Sequence, residues 1–369
     1  MTLRRASLLT ALLLTACGET TPPSPAGPPV ELVSVPHPDV ADFKADVQAA
    51  IGPARAAFEQ QSAVKDGAAL GEAFGKLGLV YQAHEQQEAA AACFINAASL
   101  LPDDHRWPYH LAVLREETGE FTDALALYEA TLQLDPTYSP AATRQGLLQI
   151  QLGDADTARA TLQSVVDTDR QNAAALAGLG DLARDRGDHE RARALYTESL
   201  TLDPAASQIR YRLGLVYRAL GQIDEARAAL AGRGERIPRI RDPLLTIMQA
   251  HKHPASHYID QANAAIGQND LRRSAQLLSY ALAVEPEHEE GLVAMGEVLL
   301  AARQDDAARG QFETLSQAYP ENVYGPYYLG LIAMRSGDRD KAIRLMDEAL
   351  AIDPEFDRAN KALSRLRGN

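Results

Sequence analysis

The side chains whose spacing suggests chemistry are three histidines, His251, His253 and His257, within seven residues. Imidazole nitrogens at such spacing can bind a transition metal, so this cluster is a candidate metal site. It contains no Asp or Glu to complete a ligand set, and Pro254 constrains the backbone between the second and third histidines. Alternating histidines also suit an exposed loop. We therefore expect no bound metal and no other cofactor.

Common catalytic motifs are missing from the sequence. It has neither a P-loop nor a G-x-S-x-G nucleophile elbow. His84-Glu85 lacks the second histidine of an H-E-x-x-H zinc site, because residue 88 is glutamate. Cys93 stands beside Phe94 in an apolar stretch, where a free thiol usually behaves as a small buried hydrophobe. We therefore expect a protein that is not an enzyme.

The composition narrows the fold class and the partners. Of 369 residues, 46% are apolar but only 6% are aromatic, and alanine is abundant. That balance favours closely packed helices over a sheet. The formal net charge of −14 repels phosphate backbones, so we expect no nucleic-acid partner.

Cys17 lies at the end of a short apolar run with two arginines in front of it. The run, residues 6–16, is shorter than the roughly 20 residues of a membrane-spanning helix but suits a signal peptide. Residues 14–17 read Leu-Thr-Ala-Cys, which resembles the lipobox of bacterial lipoproteins. That resemblance implies that residues 1–16 are a signal peptide, that Cys17 is lipidated, and that this lipid anchor alone ties the protein to the membrane. An ordinary signal peptide with a chance cysteine is the alternative.

The stretch that follows the cysteine is rich in proline. Residues 18–38 hold seven of the 20 prolines, which excludes a helix and favours extended polyproline geometry. We interpret residues 17–38 as a semi-rigid tether. Gly18 replaces the aspartate that usually retains lipoproteins of enteric bacteria at the inner membrane. The lipoprotein resemblance thus predicts a cell-envelope protein on the outer membrane, facing the periplasm.

Further along the chain, seven prolines recur at a regular spacing. Most are 34 residues apart, one gap is twice that length, and one gap is 34 plus 14. The prolines are Pro102, Pro136, Pro204, Pro238, Pro286, Pro320 and Pro354. Self-similarity at this period indicates stacked repeats, because each unit buries its apolar face against the next.

Aligning the chain on these prolines gives eight units, and three positions hold similar residues in all of them. Position 8 is glycine or alanine, position 20 is alanine or serine, and position 24 is large and apolar, as at Gly180, Ala192 and Tyr196. Small residues let two antiparallel helices approach closely, and proline ends the second helix. The pattern resembles the tetratricopeptide repeat (TPR), which implies an all-α, right-handed superhelix (an α-solenoid) of about eight helix-turn-helix units.

The register of the repeats divides the chain into segments. We expect a helical cap, broken at Gly52-Pro53, ahead of the array, and a charged capping helix after it. The predicted boundaries are 39–70 for the cap, 71–240 for repeats 1–5, 241–254 for an interrupting segment, 255–356 for repeats 6–8, and 357–369 for the C-terminal helix.

The interrupting segment carries an apolar run, from Leu244 to Met248, that is too hydrophobic for a solvated linker. We expect a short helix or turn packed against repeat five or six, with the blocks 39–240 and 255–369 only weakly coupled. Two interpretations stay open: a plain insertion at a repeat junction, or a hinge or specialised contact.

The resemblance also implies where function lies, because tetratricopeptide arrays bind protein segments on the concave face lined by the first helix of each repeat. Tyrosine and arginine there are the residue types that concentrate binding energy. Partial packing against the next helix is the alternative for each tyrosine. The candidate groove residues are Arg106, Tyr109, Val113, Leu147, Arg184, Tyr211, Leu215, Arg218, Tyr324, Tyr327 and Leu331.

The sequence thus predicts an envelope-anchored scaffold or adaptor that binds protein or peptide partners in this groove. An accessory subunit of a cell-wall or outer-membrane assembly enzyme complex is the alternative function.

Overall fold

The structure is a computed structural model that describes residues 31–39, 41, 43–63 and 66–368. The predicted signal peptide, the lipidation site Cys17 and the first part of the tether lie outside these residues. Within them the chain forms nineteen α-helices and no strand, stacked as helical hairpins. The predicted all-α solenoid is confirmed.

Five helical hairpins precede the interruption and three follow it. A long helix, α1 (Ala45–Ser62), leads into the first block, and α19 (Asp357–Arg367) packs behind the last hairpin. The first block comprises α2 (Gly67–Ala83), α3 (Gln87–Leu100), α4 (Arg106–Glu117), α5 (Phe121–Leu134), α6 (Ser139–Gln151), α7 (Ala155–Thr168), α8 (Ala173–Asp185), α9 (His189–Leu202), α10 (Ser207–Ala219) and α11 (Ile223–Ala231). After α12 (Pro243–Ala250), the second block comprises α13 (Ala255–Gly267), α14 (Leu271–Val284), α15 (Glu289–Ala301), α16 (Asp305–Ala318), α17 (Tyr324–Ser336) and α18 (Arg339–Ile352).

Every hairpin turns at the same position of its repeat, on a residue in the left-handed backbone region. Five of these residues are glycines, such as Gly119 with φ 82°. The equivalent residues of the other three hairpins have side chains: Glu85 (φ 60°), Asn269 (φ 57°) and Arg303 (φ 62°). Glycine adopts this conformation without steric cost, whereas other residues pay for it.

The two helices of each hairpin pack through the small residue of the first and the large residue of the second. Tyr196 lies directly on Gly180, where an added Cβ would come within 2.6 Å of the ring. Leu162 contacts Gly146 of its own repeat and also Gly178 of the next. The large residue therefore joins neighbouring units as well as the two helices of one unit.

The N-terminal segment packs on the first hairpin. α1 continues through Pro53, so the predicted break at Gly52-Pro53 is wrong; Ile51 and Phe58 pack on the first repeat's core and hold the helix there. The tether interpretation expected residues 32–38 to stand apart from the repeats, but they contact the first hairpin. The Asn96 side chain accepts a hydrogen bond from the Val33 amide at 2.7 Å and donates one to the Val33 carbonyl at 2.8 Å.

Candidate functional site

The first helices of repeats 1–5 lie side by side and make one continuous face. Side chains link each neighbour to the next: Gln82 on α2 contacts His110 on α4 at 2.9 Å, and Arg144 on α6 donates to the Tyr109 hydroxyl at 3.1 Å. Further along, α6 packs on α8, and Arg212 on α10 pairs with Asp181 on α8. We call the face formed by α2, α4, α6, α8 and α10 the groove face. It is the predicted partner-binding surface.

The chain's own helix α12 covers part of the groove face. α12 packs on α2 and α4 in the first block and on α14 in repeat six. The sequence predicted contact with repeat five or six, and the contact with repeats one and two was not foreseen. Because α12 contacts helices of both blocks, it joins them physically, and weak coupling of the blocks stays a prediction.

Asp242 anchors the start of α12 through a buried polar network. The hydroxyls of Tyr109 and Tyr138 both donate to its carboxylate, the second at 2.9 Å. Arg144 Nε lies 3.8 Å from the same carboxylate. Asp242 also caps its own helix, because it accepts a hydrogen bond from the Leu245 amide at 3.1 Å. A buried carboxylate is stable only with such partners, so this network fixes where α12 begins.

The apolar side of α12 completes the attachment. Met248 belongs to the core cluster of the first repeat, which includes Leu77 and Trp107. Leu244 and Leu245 pack against the neighbouring cluster around Tyr109 and Val113 of repeat two. Thr246, Ile247 and Gln249 remain exposed. α12 is therefore amphipathic, with its apolar side on the groove face and its polar side in solvent.

An irregular segment, residues 232–241, leads into α12 and runs back along the repeats. We call it the strap. Its Gly234 amide donates to the Ser207 carbonyl at 3.2 Å, and its Arg239 amide donates to Asp203 at 3.1 Å. Arg241 then donates to the Gln171 carbonyl at 3.0 Å, one repeat earlier. The contacts fall on successive inter-repeat turns, so the strap follows the array in reverse until it reaches α12.

The predicted groove residues Tyr109 and Val113 are buried by this arrangement. Tyr109 is 0% exposed, and burial together with the Asp242 carboxylate raises the pKa of its hydroxyl. Arg106 is half-buried at the edge of the covered region, where it pairs with Asp104 and Glu72. Tyr109 and Val113 therefore contact the chain's own helix, because α12 occupies the surface that a partner would need.

The remaining part of the groove face, on α8 and α10, is open. Tyr211 is 46% exposed, and Leu215 and Arg218 follow one and two turns later on the same side of α10. Leu147 on α6 is half-buried beside Gly178 of α8. Arg184 is less available, since it pairs with Asp181 at 3.3 Å and Asp185 at 2.8 Å. The structure therefore leaves an apolar and basic patch on α10.

In the second block the predicted groove residues pack into the last repeat. Tyr327 is buried, and its ring lies 5.1 Å from that of Phe356, which precedes α19. Tyr324 meets the same phenyl ring at 5.7 Å, and Leu331 packs against the same cluster. For these residues the packing alternative describes the structure better than an open groove, because Phe356 fills the space beside them.

The three histidines do not come together as a metal site. His253 and His257 stack on each other at 4.2 Å, whereas His251 is buried at the end of α12, among Lys76, His84 and His110. Across the described ranges, the structure assembles no group of three His, Cys, Asp or Glu residues that could bind a metal ion. Burial, followed by the charges of Lys76 and His84, lowers the pKa of His251 to about 4.

Cys93 is buried in the first repeat, and burial raises the pKa of its thiol to about 12. A thiol that stays protonated at neutral pH is a poor nucleophile, in keeping with its reading as a small core residue. Among the helices that the structure describes, none is both long and apolar enough to span a bilayer.

Sequence reasoning missed the residues that hold α12. Tyr138 and Arg144 lie outside the positions assigned to the groove, and Asp242 stands in the interruption. One signal for the helix start was visible: Asp242-Pro243 is an acidic cap followed by proline at the first helical position. No periodicity, however, indicates that this helix turns back onto repeats one and two.

Stacked hairpins with a side-chain-lined groove face define a class of scaffold that typically binds protein partners and is non-catalytic. Tetratricopeptide-repeat models match residues 76–139, 143–207, 183–242, 265–334 and 327–356, more than half of the chain. The protein therefore belongs to the tetratricopeptide-repeat family.

Two relatives align with about two thirds or more of this chain. Cellulose synthase operon protein C of Pseudomonas fluorescens is 27% identical over 76% of this chain and 25% of its own length. The CTR9 homolog of Arabidopsis thaliana is 24% identical over 67% of this chain and 22% of its own length. The chain thus spans about a quarter of the length of these relatives. Among solved structures, MamA from Desulfovibrio magneticus is 17% identical over 44% of this chain and 91% of its own, with a TM-score of 0.41.

Proposed function

We propose that this protein is a non-catalytic scaffold that binds a protein segment on the open part of its groove face. The observation that carries the proposal is the α10 patch, where Tyr211, Leu215 and Arg218 stand on one side of a helix and Tyr211 is 46% exposed. A tyrosine that is nearly half exposed can bury its ring on binding, and tyrosine and arginine are typical binding hot spots. The patch suits a segment with apolar anchors and a carboxylate for Arg218.

The test places a photo-crosslinking amino acid at Tyr211 or Leu215 and, as the control, at Arg227 on the exposed side of α11. We expect one partner to crosslink from both groove positions and not from residue 227. Tyr211→Ala should then reduce capture of that partner more than tenfold, because a hot-spot tyrosine contributes about 2 kcal/mol or more. Equal crosslinking from residue 227, or undiminished capture by Tyr211→Ala with the fold intact, would refute this docking surface.

The second part of the proposal is that the scaffold is anchored in a bacterial envelope by a lipid on Cys17, on the outer membrane facing the periplasm. The support is the Leu-Thr-Ala-Cys sequence at residues 14–17 after an apolar run. One acyl chain binds a membrane only marginally, so stable anchoring needs more than one. Cys17→Ser should abolish fatty-acid labelling and move the protein to the soluble fraction. Persistent labelling of the variant would contradict a lipid at this residue.

The likeness to cellulose synthase operon protein C favours a second candidate, an accessory subunit of an envelope enzyme assembly. The two functions differ in what copurifies. A free adaptor binds its partner segment as a purified single chain, whereas an accessory subunit copurifies with an enzyme in fixed stoichiometry. Mass spectrometry of the tagged protein from detergent-solubilised envelopes distinguishes these outcomes.

A further inference from the structure

We propose that the pocket between α2, α4 and α6 is a second binding site, specific for a short helix with an acidic N-cap, and that α12 is its displaceable resident occupant. The inference rests on the proposed scaffold function. It concerns a different surface from the α10 patch, so the two can fail independently. The occupant to which we commit is a partner segment with the chemistry of α12: an acidic cap followed by apolar residues two, three and six positions later.

The polar half of the pocket is built to receive a carboxylate. Two tyrosine hydroxyls, from Tyr109 on α4 and from Tyr138 at the N-cap of α6, converge on Asp242. Arg144 lies behind them and is itself held by Glu116 at 3.3 Å. Converging donors with a cation behind them discriminate strongly against a neutral residue, because they would be left unpaired and buried. An acidic residue at the start of the bound helix is therefore the main specificity element.

The apolar half of the pocket selects a helix rather than an extended chain. Leu245 and Met248 are three residues apart on α12 and reach the cores of repeats two and one, respectively. Such spacing places both side chains on one side of a helix, and it is the usual mode by which a groove recognises an amphipathic helix. The proline after the cap favours a helix start, so the matching segment begins abruptly at the carboxylate.

The attachment of α12 suits displacement. α12 has eight residues, and helices of this length are marginal without tertiary contacts. The strap before it is largely exposed, and Lys252 to Pro254 after it are exposed as well. Thr246, Ile247 (37% exposed) and Gln249 face solvent, so one side of the helix makes no contact that opposes its release. Because α12 also packs on α14, a partner that displaces it separates repeat six from repeats one and two.

The test uses a fluorescent peptide with the sequence of residues 240–252 and the full chain in detergent, with binding followed by anisotropy. One variant carries Leu245→Asp with Met248→Asp, which removes the apolar contacts of α12; we call it the loosened chain. The matched control is Thr246→Asp with Ile247→Asp, which adds the same charges on the solvent side of the same helix. In the wild-type chain the peptide competes with α12, which is tethered beside the pocket at an effective concentration of about millimolar or above. The wild-type chain should therefore bind the peptide weakly.

We expect the loosened chain to bind the peptide at least tenfold more tightly than the wild-type chain or the control. Tyr109→Phe with Tyr138→Phe in the loosened chain keeps both rings but removes both hydroxyl donors. This pair, or Asp242→Asn in the peptide, should weaken binding by tenfold or more. A loosened chain that keeps its helical content and binds no peptide overturns the proposal, because α12 is then a structural brace only.

Two further results decide the remaining cases. If the loosened chain does not fold, hydrogen exchange of the wild-type chain replaces it: faster exchange in α12 than in α4 supports displacement, and equal protection overturns it. If light scattering shows that the loosened chain dimerises and the peptide dissociates that dimer, the occupant is α12 of a second copy, which overturns the proposed partner segment. Crosslinking from Tyr211 is scored separately and reports on the α10 patch alone.

Discussion

Replacing Gly296 by alanine should destabilise the seventh repeat, although alanine is the better helix former. An added Cβ at this position would lie 2.3 Å from Phe312 Cζ. Phe312 is fully buried and stacks on Tyr328 at 4.6 Å, so the ring cannot move without displacing the next repeat. Overpacking of this kind costs about 1–3 kcal/mol.

Gly310→Ala in α16 is the matched control within the same hairpin, because no heavy atom lies within 4 Å of its added Cβ. Removing a helical glycine there should stabilise by roughly 0.5–1 kcal/mol. The two substitutions should therefore differ by about 1.5–4 kcal/mol, with opposite signs. Urea unfolding gives the overall effect, and hydrogen exchange over residues 289–318 locates it, because damage in a repeat array stays near its origin. Equal stabilisation by both would refute the packing argument.

Three further predictions follow from other features of the fold. Arg303→Gly and Glu85→Gly should each stabilise by about 0.5–1 kcal/mol, since glycine relieves a left-handed backbone at a small entropic cost; unchanged or lower unfolding midpoints would contradict this. His251 has a pKa lowered to about 4 by burial, so its contribution to stability is complete above its unfolded pKa of about 6.5 and is lost as pH falls towards 4. The melting temperature should therefore fall between pH 7 and pH 4.5, less steeply in His251→Gln, and parallel slopes would exclude His251 as the cause. Asn96→Ala removes both hydrogen bonds to Val33, so hydrogen exchange at the Val33 amide should accelerate at least tenfold; unchanged exchange would show that other contacts hold the segment.

The solenoid was predictable because its determinants are local and repeated. A small residue such as Gly180 opposite a large one such as Tyr196 recurs at a fixed interval, and each copy dictates the same hairpin. The packing of neighbouring repeats follows from the same columns, as Leu162 shows by touching two repeats at once. Errors arose where one element departs from the rule, as in α1, where packing around Ile51 and Phe58 holds a helix together across Pro53.

The binding surface was only partly predictable, for a different reason. Helical positions identify which side of α4 and α10 belongs to the groove face, and Tyr109 and Tyr211 do lie on it. Whether such a residue is free depends on what covers it, and that is decided by contacts between residues more than a hundred positions apart, such as Tyr109 and Asp242. A periodic pattern carries no information about a contact made once.

The strap and α12 leave the groove face with two distinct surfaces, the open α10 patch and the pocket that α12 covers. The strap contacts the turns that precede α8 and α10, and α12 occupies the pocket on repeats one and two. A partner on the α10 patch leaves both in place, because Tyr211 is exposed while they are bound. A partner in the α12 pocket must release α12, and with it the contact to α14. If α12 is displaceable as proposed, occupancy of its pocket is coupled to the position of repeats 6–8, and by reciprocity a contact that draws those repeats away favours the open pocket.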